Sequence, residues 1–302
     1  MIGRRSSVTA HPAWMPWAIG ALGVAALAQV GARLAPDWYR IFGPYLLVDA
    51  DMVVGSLRGV SPFVLAAAVL VGAQRWPAGT RWLQLGALAL GLQGLLELGS
   101  DIWWAIWNIA PGEVSGGVQV ILVVRYVAST LAGIAAWALL AAGLWAARGD
   151  VALRGPRRVA TLVIGIVGLA ALGSGIWVAA MYLGIPNVGS AAPLYAVDGA
   201  LVAIGIAAPA ALAFAAVRAM PGRGGMPEVL ISIGATIAAG ALAWEWVVPQ
   251  VGPLTATPVD VTAWAFTLVR AIVTAGFVAM IAGFGVSALL RNRQDGTDRT
   301  LP

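Results

Sequence analysis

Residues 118–147, VQVILVVRYVASTLAGIAAWALLAAGLWAA, decide the fold class of this chain. The stretch contains a single charged side chain, Arg125. At a rise of about 1.5 Å per residue, a helix of this length is long enough to cross the hydrocarbon core of a bilayer, which is about 30 Å thick. Ala, Leu, Val and Gly dominate the stretch, without the alternation of a barrel strand. It therefore predicts a transmembrane α-helix.

The rest of the chain has the same character. Of 302 residues, 60% are hydrophobic and only 10% are charged, whereas about a quarter of a soluble domain is charged. Lipid must replace water over most of the surface, so the backbone has to satisfy its own hydrogen bonds in helices. We predict an all-α, polytopic integral membrane protein of about eight transmembrane helices. The apolar runs place them near residues 13–34, 54–74, 81–107, 118–147, 158–184, 194–219, 228–248 and 260–290.

Missing residue types exclude several kinds of chemistry. The chain has no Cys and no Lys, and its one histidine, His11, precedes the first apolar run. Thiol nucleophiles, iron–sulfur clusters, paired-histidine haem and a retinal Schiff base are therefore excluded. Phosphate-loop, dinucleotide-binding, zinc-protease and nucleophile-elbow motifs are absent as well. We expect no catalytic residues, no metal site and no cofactor, and we favour a protein that is not an enzyme.

The loop arginines predict the orientation, since they concentrate on the cytoplasmic side of membrane proteins. With a cytoplasmic N-terminus, only Arg33, Arg40 and Arg58 fall on the opposite side. The cytoplasmic side then holds Arg4, Arg5, Arg75, Arg81, Arg148, Arg154, Arg157, Arg158, Arg218, Arg223, Arg291, Arg293 and Arg299. We predict a multi-pass protein of the cell membrane with both termini in the cytoplasm. Topology also accounts for the net charge of +5 without any nucleic-acid partner.

A self-comparison divides the chain into two four-helix bundles, residues 1–150 and 151–290, and a tail, 291–302, predicted to be disordered and cytoplasmic. Because each half has an even number of helices, the repeats are expected to be parallel, related by an axis along the membrane normal. Chance similarity among apolar helices is the alternative. The matches are Asp51 and Pro62 with Asp198 and Pro209, at the same spacing, and LVVRYVAST around Arg125 with TLVRAIVTA around Arg270.

Charges within the apolar runs recur at similar depth in both halves. They are Asp51, Glu97 and Arg125 in the first half, Asp198, Glu245 and Arg270 in the second, and an extra acid, Asp101, one turn beyond Glu97. A charge in hydrocarbon costs about 2.5–3.5 kcal/mol on the insertion scale, so each should find a partner or water. Two interpretations follow: a Glu–Arg bridge that fixes the packing of each half, or a polar vestibule, open to the outside, that holds an anionic group.

The vestibule leads to our first functional hypothesis, a transporter or channel-like permease for a small ionic solute, with these seven residues as its binding site. The alternative is a quinone- or lipid-handling subunit of a larger complex, in which a Trp-rich outer region supplies the pocket and partner subunits are expected. A structural membrane scaffold is the third hypothesis. Membrane lipid is a partner in each case.

Overall fold

The computed structural model describes residues 12–34, 50–109, 116–148, 156–183, 192–220, 225–255 and 259–297. Within them the chain forms eight long helices: α1 Met15–Leu34, α2 Ala50–Gly72, α3 Thr80–Ile109, α4 Gly116–Ala146, α5 Pro156–Leu183, α6 Ala192–Ala219, α7 Met226–Thr255 and α8 Val259–Thr297. A short 3-10 helix, Ala73–Arg75, follows α2 directly. Each of the eight contains a stretch long and apolar enough to cross a membrane. The prediction of a helical multi-pass membrane protein is confirmed.

Three helix ends differ from the predicted spans. α2 begins at Ala50 rather than near residue 54, α7 continues to Thr255, and α8 continues to Thr297 rather than ending near residue 290. Hydropathy locates the part of a helix that suits lipid, whereas intrahelical hydrogen bonds continue into polar sequence. Asp51 consequently lies inside the first turn of α2.

Six of the described helices form a closed ring. Around the ring, α2 packs against α3, α3 against α4, α4 against α6, α6 against α7, α7 against α8, and α8 against α2. α1 packs against α2 and α3, and α5 packs against α6 and α7. The ring therefore encloses a central space that side chains from six helices can reach, with α1 and α5 as additional helices beside it.

Small residues let neighbouring helices in the ring approach closely. A Cβ built on Gly276 of α8 would lie 2.7 Å from the carbonyl oxygen of Gly234 on α7, and one built on Gly234 would overlap the carbonyl of Gly276. α3 and α4 cross in a similar way, since a Cβ on Gly143 would lie 2.6 Å from Cγ of Leu83. Close backbone approach is the main source of packing energy where lipid competes for apolar contacts. These crossings hold α3 and α7 firmly in place.

Large apolar side chains cover the outward surface of α1 and α5. Leu27 and Leu169 are 75% and 71% exposed, and Val24 and Ile166 are nearly as exposed. A soluble protein does not present rows of such residues to water. Both helices therefore present their outer faces to lipid, which agrees with a multi-pass membrane protein.

Candidate functional site

The central space of the ring holds a cavity of about 380 Å³. All six ring helices contribute to its wall. The polar lining residues are Arg58, Ser61, Gln93, Glu97, Arg125, Tyr126, Ser129 and Thr130, and the apolar ones include Ile134, Trp137, Val202, Ile206, Leu242, Val273 and Phe277. Two of the seven predicted site residues, Glu97 and Arg125, thus lie on one cavity wall.

Pro62 shapes the part of α2 that lines the cavity. A proline has no N–H to donate to the carbonyl four residues earlier, which here belongs to Arg58. The hydroxyl of Ser61 donates to that carbonyl instead, at 2.7 Å. The local sequence therefore keeps Arg58 in place on the cavity wall at the point where the helical hydrogen bonds are interrupted.

Glu245 of α7 lies between two arginines. Nη1 of Arg58 donates a hydrogen bond to Oε1 of Glu245, and Nε of Arg270 on α8 lies 3.9 Å from the same oxygen. The predicted pairing of Glu245 with Arg270 is therefore present, but the direct hydrogen bond comes from Arg58, across the ring. We name these three residues the Glu245 cluster.

Glu97 and Arg125 do not form the corresponding bridge in the first half. Glu97 accepts a hydrogen bond from Nε2 of Gln93 one turn earlier on α3, at 3.0 Å. Nη1 of Arg125 donates to the carbonyl oxygen of Leu96 at 3.1 Å, and Nε of Arg125 is buried without a hydrogen-bond partner. The hypothesis of one Glu–Arg bridge per half thus holds for the second half and not for the first, where Arg125 donates to a backbone carbonyl of α3 and Glu97 accepts from Gln93.

Asp101 lies outside the cavity wall and joins α3 to α1. Nε of Arg33 lies 2.9 Å from Oδ2 of Asp101, and Nε2 of Gln29 donates to the same oxygen. The side chain of Gln29 is fully buried. Asp101 therefore anchors α1 against the ring, and the structure gives it no contact with the cavity.

The two remaining predicted residues are Asp51 and Asp198. Their backbones lie in α2 and α6, and their side chains fall outside the described residues. Their predicted place in the site stays a prediction.

An aromatic pair lies at the apolar side of the cavity. The rings of Trp137 on α4 and Phe277 on α8 meet edge to face, with centroids 5.8 Å apart and an interplanar angle of 67°. Edge-to-face contacts of this kind are favourable beyond the area that they bury. The pair gives the cavity a rigid apolar boundary opposite its charged residues.

Six polar residues of the cavity wall were not among the predicted site residues: Arg58, Ser61, Gln93, Tyr126, Ser129 and Thr130. Two of them, Arg58 and Gln93, stand near signals in the sequence. Arg58 was counted with the loop arginines, although Ser61 and Pro62 soon after it mark a helix interrupted beside it. Gln93 lies four residues before Glu97 in an otherwise apolar helix, the spacing at which helical side chains meet. This second signal was available from the sequence alone.

At the opposite end of the bundle, side chains close both junctions between residues 1–150 and residues 151–290. Between the connection from α2 to α3 and the first turn of α7, the carboxylate of Glu228 is 2% exposed and accepts hydrogen bonds from Nε of Arg75 at 3.1 Å and Nε1 of Trp76 at 3.2 Å. Between α4 and α6, the ring of Trp145 stacks on Phe214 with centroids 5.7 Å apart. We name these contacts the Glu228 and Trp145 junctions.

The described residues contain no group of three or more His, Asp or Glu side chains placed to hold a metal ion. Comparisons with protein-family models, with curated proteins and with solved structures find no match to this chain. The geometry of the cavity is therefore the basis for assigning a function.

Proposed function

We propose that this protein is a permease for a small amphipathic organic anion, and that the central cavity binds the substrate. Arg125 carries the proposal. Arg33, Arg58 and Arg270, at the same end of the bundle, each contact a carboxylate. Arg125 lines the cavity, and within the described part of the chain it contacts only a backbone carbonyl. Arg125 is partly buried and its Nε has no hydrogen-bond partner; a guanidinium in such a place without a counter-charge is costly, and a bound anion offsets that cost.

The size and polarity of the cavity support an amphipathic substrate. At about 30 Å³ for a water-sized group, 380 Å³ holds about a dozen non-hydrogen atoms. Along α4 the lining extends from Arg125 to Trp137, a rise of about 18 Å. A substrate whose anionic group lies at Arg125 can therefore extend an apolar body towards Trp137 and Phe277.

An internal duplication provides the two halves that a transporter moves against each other. Its first support is the packing of the ring. Consider a shift of four places along the chain, which takes α1 to α5 and α5 back to α1. Under this shift every pair of packed helices described above becomes another observed pair. The pairs α1–α2, α1–α3, α2–α3, α3–α4 and α2–α8 become α5–α6, α5–α7, α6–α7, α7–α8 and α6–α4. This pattern supports the proposal of two four-helix bundles that face each other.

The buried positions provide the second support for duplication. Pro62 and Pro209 are 147 positions apart, and at that separation buried residues of α2 coincide with buried residues of α6: Leu65, Ala66, Val69 and Leu70 with Leu212, Ala213, Ala216 and Val217. Glycine contacts align the remaining ring helices. A Cβ on Gly86 of α3 would meet Leu140 of α4 at 2.9 Å, and one on Gly234 of α7 would meet Met280 of α8 at 2.8 Å. These contacts match α3 with α7 at 148 positions and α4 with α8 at 140.

The proposed transport cycle opens the two ends of the cavity in turn. The loop arginines predict that the end carrying Arg125 faces away from the cytoplasm. The Glu228 and Trp145 junctions close the other end, and both lie between the proposed halves. In the inward-open state, these junctions separate.

Reconstitution in liposomes tests the proposal. Liposomes that contain the purified protein are expected to take up radiolabelled amphipathic carboxylates of up to about a dozen non-hydrogen atoms. Arg125→Gln is expected to reduce uptake at least tenfold, and Arg125→Lys, which keeps the charge, to reduce it less. The control Arg81→Gln removes an arginine exposed at the start of α3. Uptake equal to that of empty liposomes, or Arg125→Gln at wild-type rates, would overturn the proposal.

One observation favours the quinone- or lipid-handling alternative. On α4, next to Arg125, Ile121, Val123 and Val124 are 66%, 54% and 62% exposed, and Tyr126 lines the cavity while being 36% exposed. This wall offers a route from lipid to the cavity. The alternative predicts a quinone or lipid that co-purifies with the protein and is displaced by Trp137→Ala, which mass spectrometry of the detergent extract detects.

A further inference from the structure

Glu97 faces open space at the positions that correspond to the two arginines beside Glu245. In the register of the proposed duplication, Glu97 corresponds to Glu245, Gly205 to Arg58, and Thr130 to Arg270. Glu97, Gly205 and Thr130 all line the same cavity. The register was set by buried apolar positions and glycine contacts. The position of Glu97, Gly205 and Thr130 around one cavity was not used to set it and is therefore an independent observation. The molecule thus places two guanidinium groups, one from each half, against Glu245, and leaves a space at the equivalent positions beside Glu97.

The wall of this space also carries hydrogen-bond acceptors. Pro209 has no N–H for the carbonyl of Gly205, just as Pro62 has none for the carbonyl of Arg58. In α2 the hydroxyl of Ser61 replaces the missing donor, but the equivalent position in α6 is Ala208, which has no hydroxyl. The hydroxyl of Thr130 donates to a backbone carbonyl and keeps its lone pairs free for a further donor. A carboxylate, a carbonyl and a hydroxyl together suit a group with several N–H donors.

We propose that Glu97, the carbonyl of Gly205 and the hydroxyl of Thr130 bind the alkylammonium group of the substrate, so that the substrate is a zwitterion with its carboxylate at Arg125. This inference rests on the proposed permease function and narrows its substrate class. It predicts small amino acids with branched or aromatic side chains, whose apolar parts meet Trp137 and Phe277.

Arg33 and Arg58 also lie within electrostatic reach of Glu97. Arg33 contacts Asp101, and Arg58 does not fill the space either. Its guanidinium is hydrogen-bonded to Glu245 across the ring. Glu245 itself lies beside two guanidinium groups. A carboxylate flanked by two cations is therefore an arrangement that this molecule already uses, and a substrate ammonium would complete the same arrangement at Glu97.

Equilibrium binding to the purified protein tests the ammonium site. The probes are amino acids with branched or aromatic side chains, such as L-phenylalanine, each paired with the carboxylate that lacks its amino group, such as 3-phenylpropanoate. Wild-type protein is expected to bind the best amino acid at least tenfold more tightly than its partner. Glu97→Gln is expected to remove this preference by weakening the binding of the amino acid.

A substitution at Thr130 that copies the arrangement at Glu245 provides a second test, in which one of the two measurements needs no ligand. Thr130→Arg places a guanidinium where Arg270 stands relative to Glu245. It is expected to reduce amino-acid binding at least tenfold and to melt at a higher temperature than Thr130→Met, which has similar bulk and no charge. In the Glu97→Gln background this difference in melting temperature should disappear.

The outcomes separate this inference from the permease proposal. Equal affinity for amino acids and their simple carboxylates, together with equal melting temperatures of Thr130→Arg and Thr130→Met, would refute the ammonium site and leave the anion site at Arg125 intact. Absence of any binding or uptake, with Thr130→Arg still melting above Thr130→Met, would refute the permease and retain a cation-binding space at Glu97.

Discussion

The Glu245 cluster allows a quantitative test of which arginine is the main partner of Glu245. The sequence pattern pairs Glu245 with Arg270, whereas the structure gives the direct hydrogen bond to Arg58. The side chains of Arg58 and Glu245 are 31% and 16% exposed, so their pair lies between a surface and a buried ion pair. Surface pairs contribute about 0.2–1 kcal/mol, and removing one partner of a buried pair costs about 3–5 kcal/mol.

From these limits we expect Arg58 and Glu245 to be coupled by about 2 kcal/mol. Arg270 approaches Glu245 only to 3.9 Å and is 36% exposed, so its coupling should be about 0.5 kcal/mol. Double-mutant cycles with glutamine at each position measure both values. The free energy of unfolding would be followed by tryptophan fluorescence in mixed detergent micelles, which the 14 tryptophans make sensitive.

Arg81→Gln, combined with Glu245→Gln, provides the control, since Arg81 is exposed at the start of α3 and its effect should add to that of Glu245→Gln. A coupling of Glu245 with Arg270 equal to or larger than that with Arg58 would refute the assignment of Arg58 as the main partner. It would then support the sequence-based pairing of the two residues within the second half.

Three further predictions concern packing. Gly234→Ala should lower the free energy of unfolding by about 1–3 kcal/mol because its Cβ would overlap the backbone of α8, whereas Gly173→Ala, with open space around it, should not destabilise the same micellar preparation. Glu228→Gln should loosen the Glu228 junction, and because the chain has no cysteine, a single Ser287→Cys reporter at this buried position is expected to react faster with maleimide in that background. Phe277→Ala should cost about 3–5 kcal/mol in stability and widen the cavity, so that carboxylates with larger apolar groups gain affinity in equilibrium binding.

The helices could be predicted from sequence because the length of an apolar run and its lack of charge are local properties. The role of Arg58 could not. It lies close to the start of α2, where an arginine can turn either to the membrane surface or to the interior, and its partner Glu245 is 187 positions away in the sequence. Which helix faces which across a ring is a property of packing. For the same reason Glu97 was identified as a site residue, but its neighbours Gly205 and Thr130 were not.

The arginines illustrate how the register of an alignment based on sequence can differ from the register of an alignment based on helix packing. Matching LVVR with TLVR aligns Arg125 with Arg270 at 145 positions, whereas the glycine contacts of α4 and α8 align these helices at 140. Five residues of helix correspond to a shift of about 7.5 Å and a rotation of about 140°. Under the proposed duplication Arg125 therefore has Ala265 as its counterpart, and Arg270 has Thr130.

This difference has a functional consequence under the proposed duplication. Two identical halves would place equal charge clusters on both sides of the pseudo-twofold axis, and every carboxylate would be occupied by arginine. Here Arg58 and Arg270 lie beside Glu245, whereas Gly205 and Thr130 stand at the equivalent positions beside Glu97, and Arg125 lies on another face of α4. A symmetric scaffold with an asymmetric charge pattern forms one cavity with one cation and one carboxylate available, which is the arrangement that a single zwitterionic substrate requires.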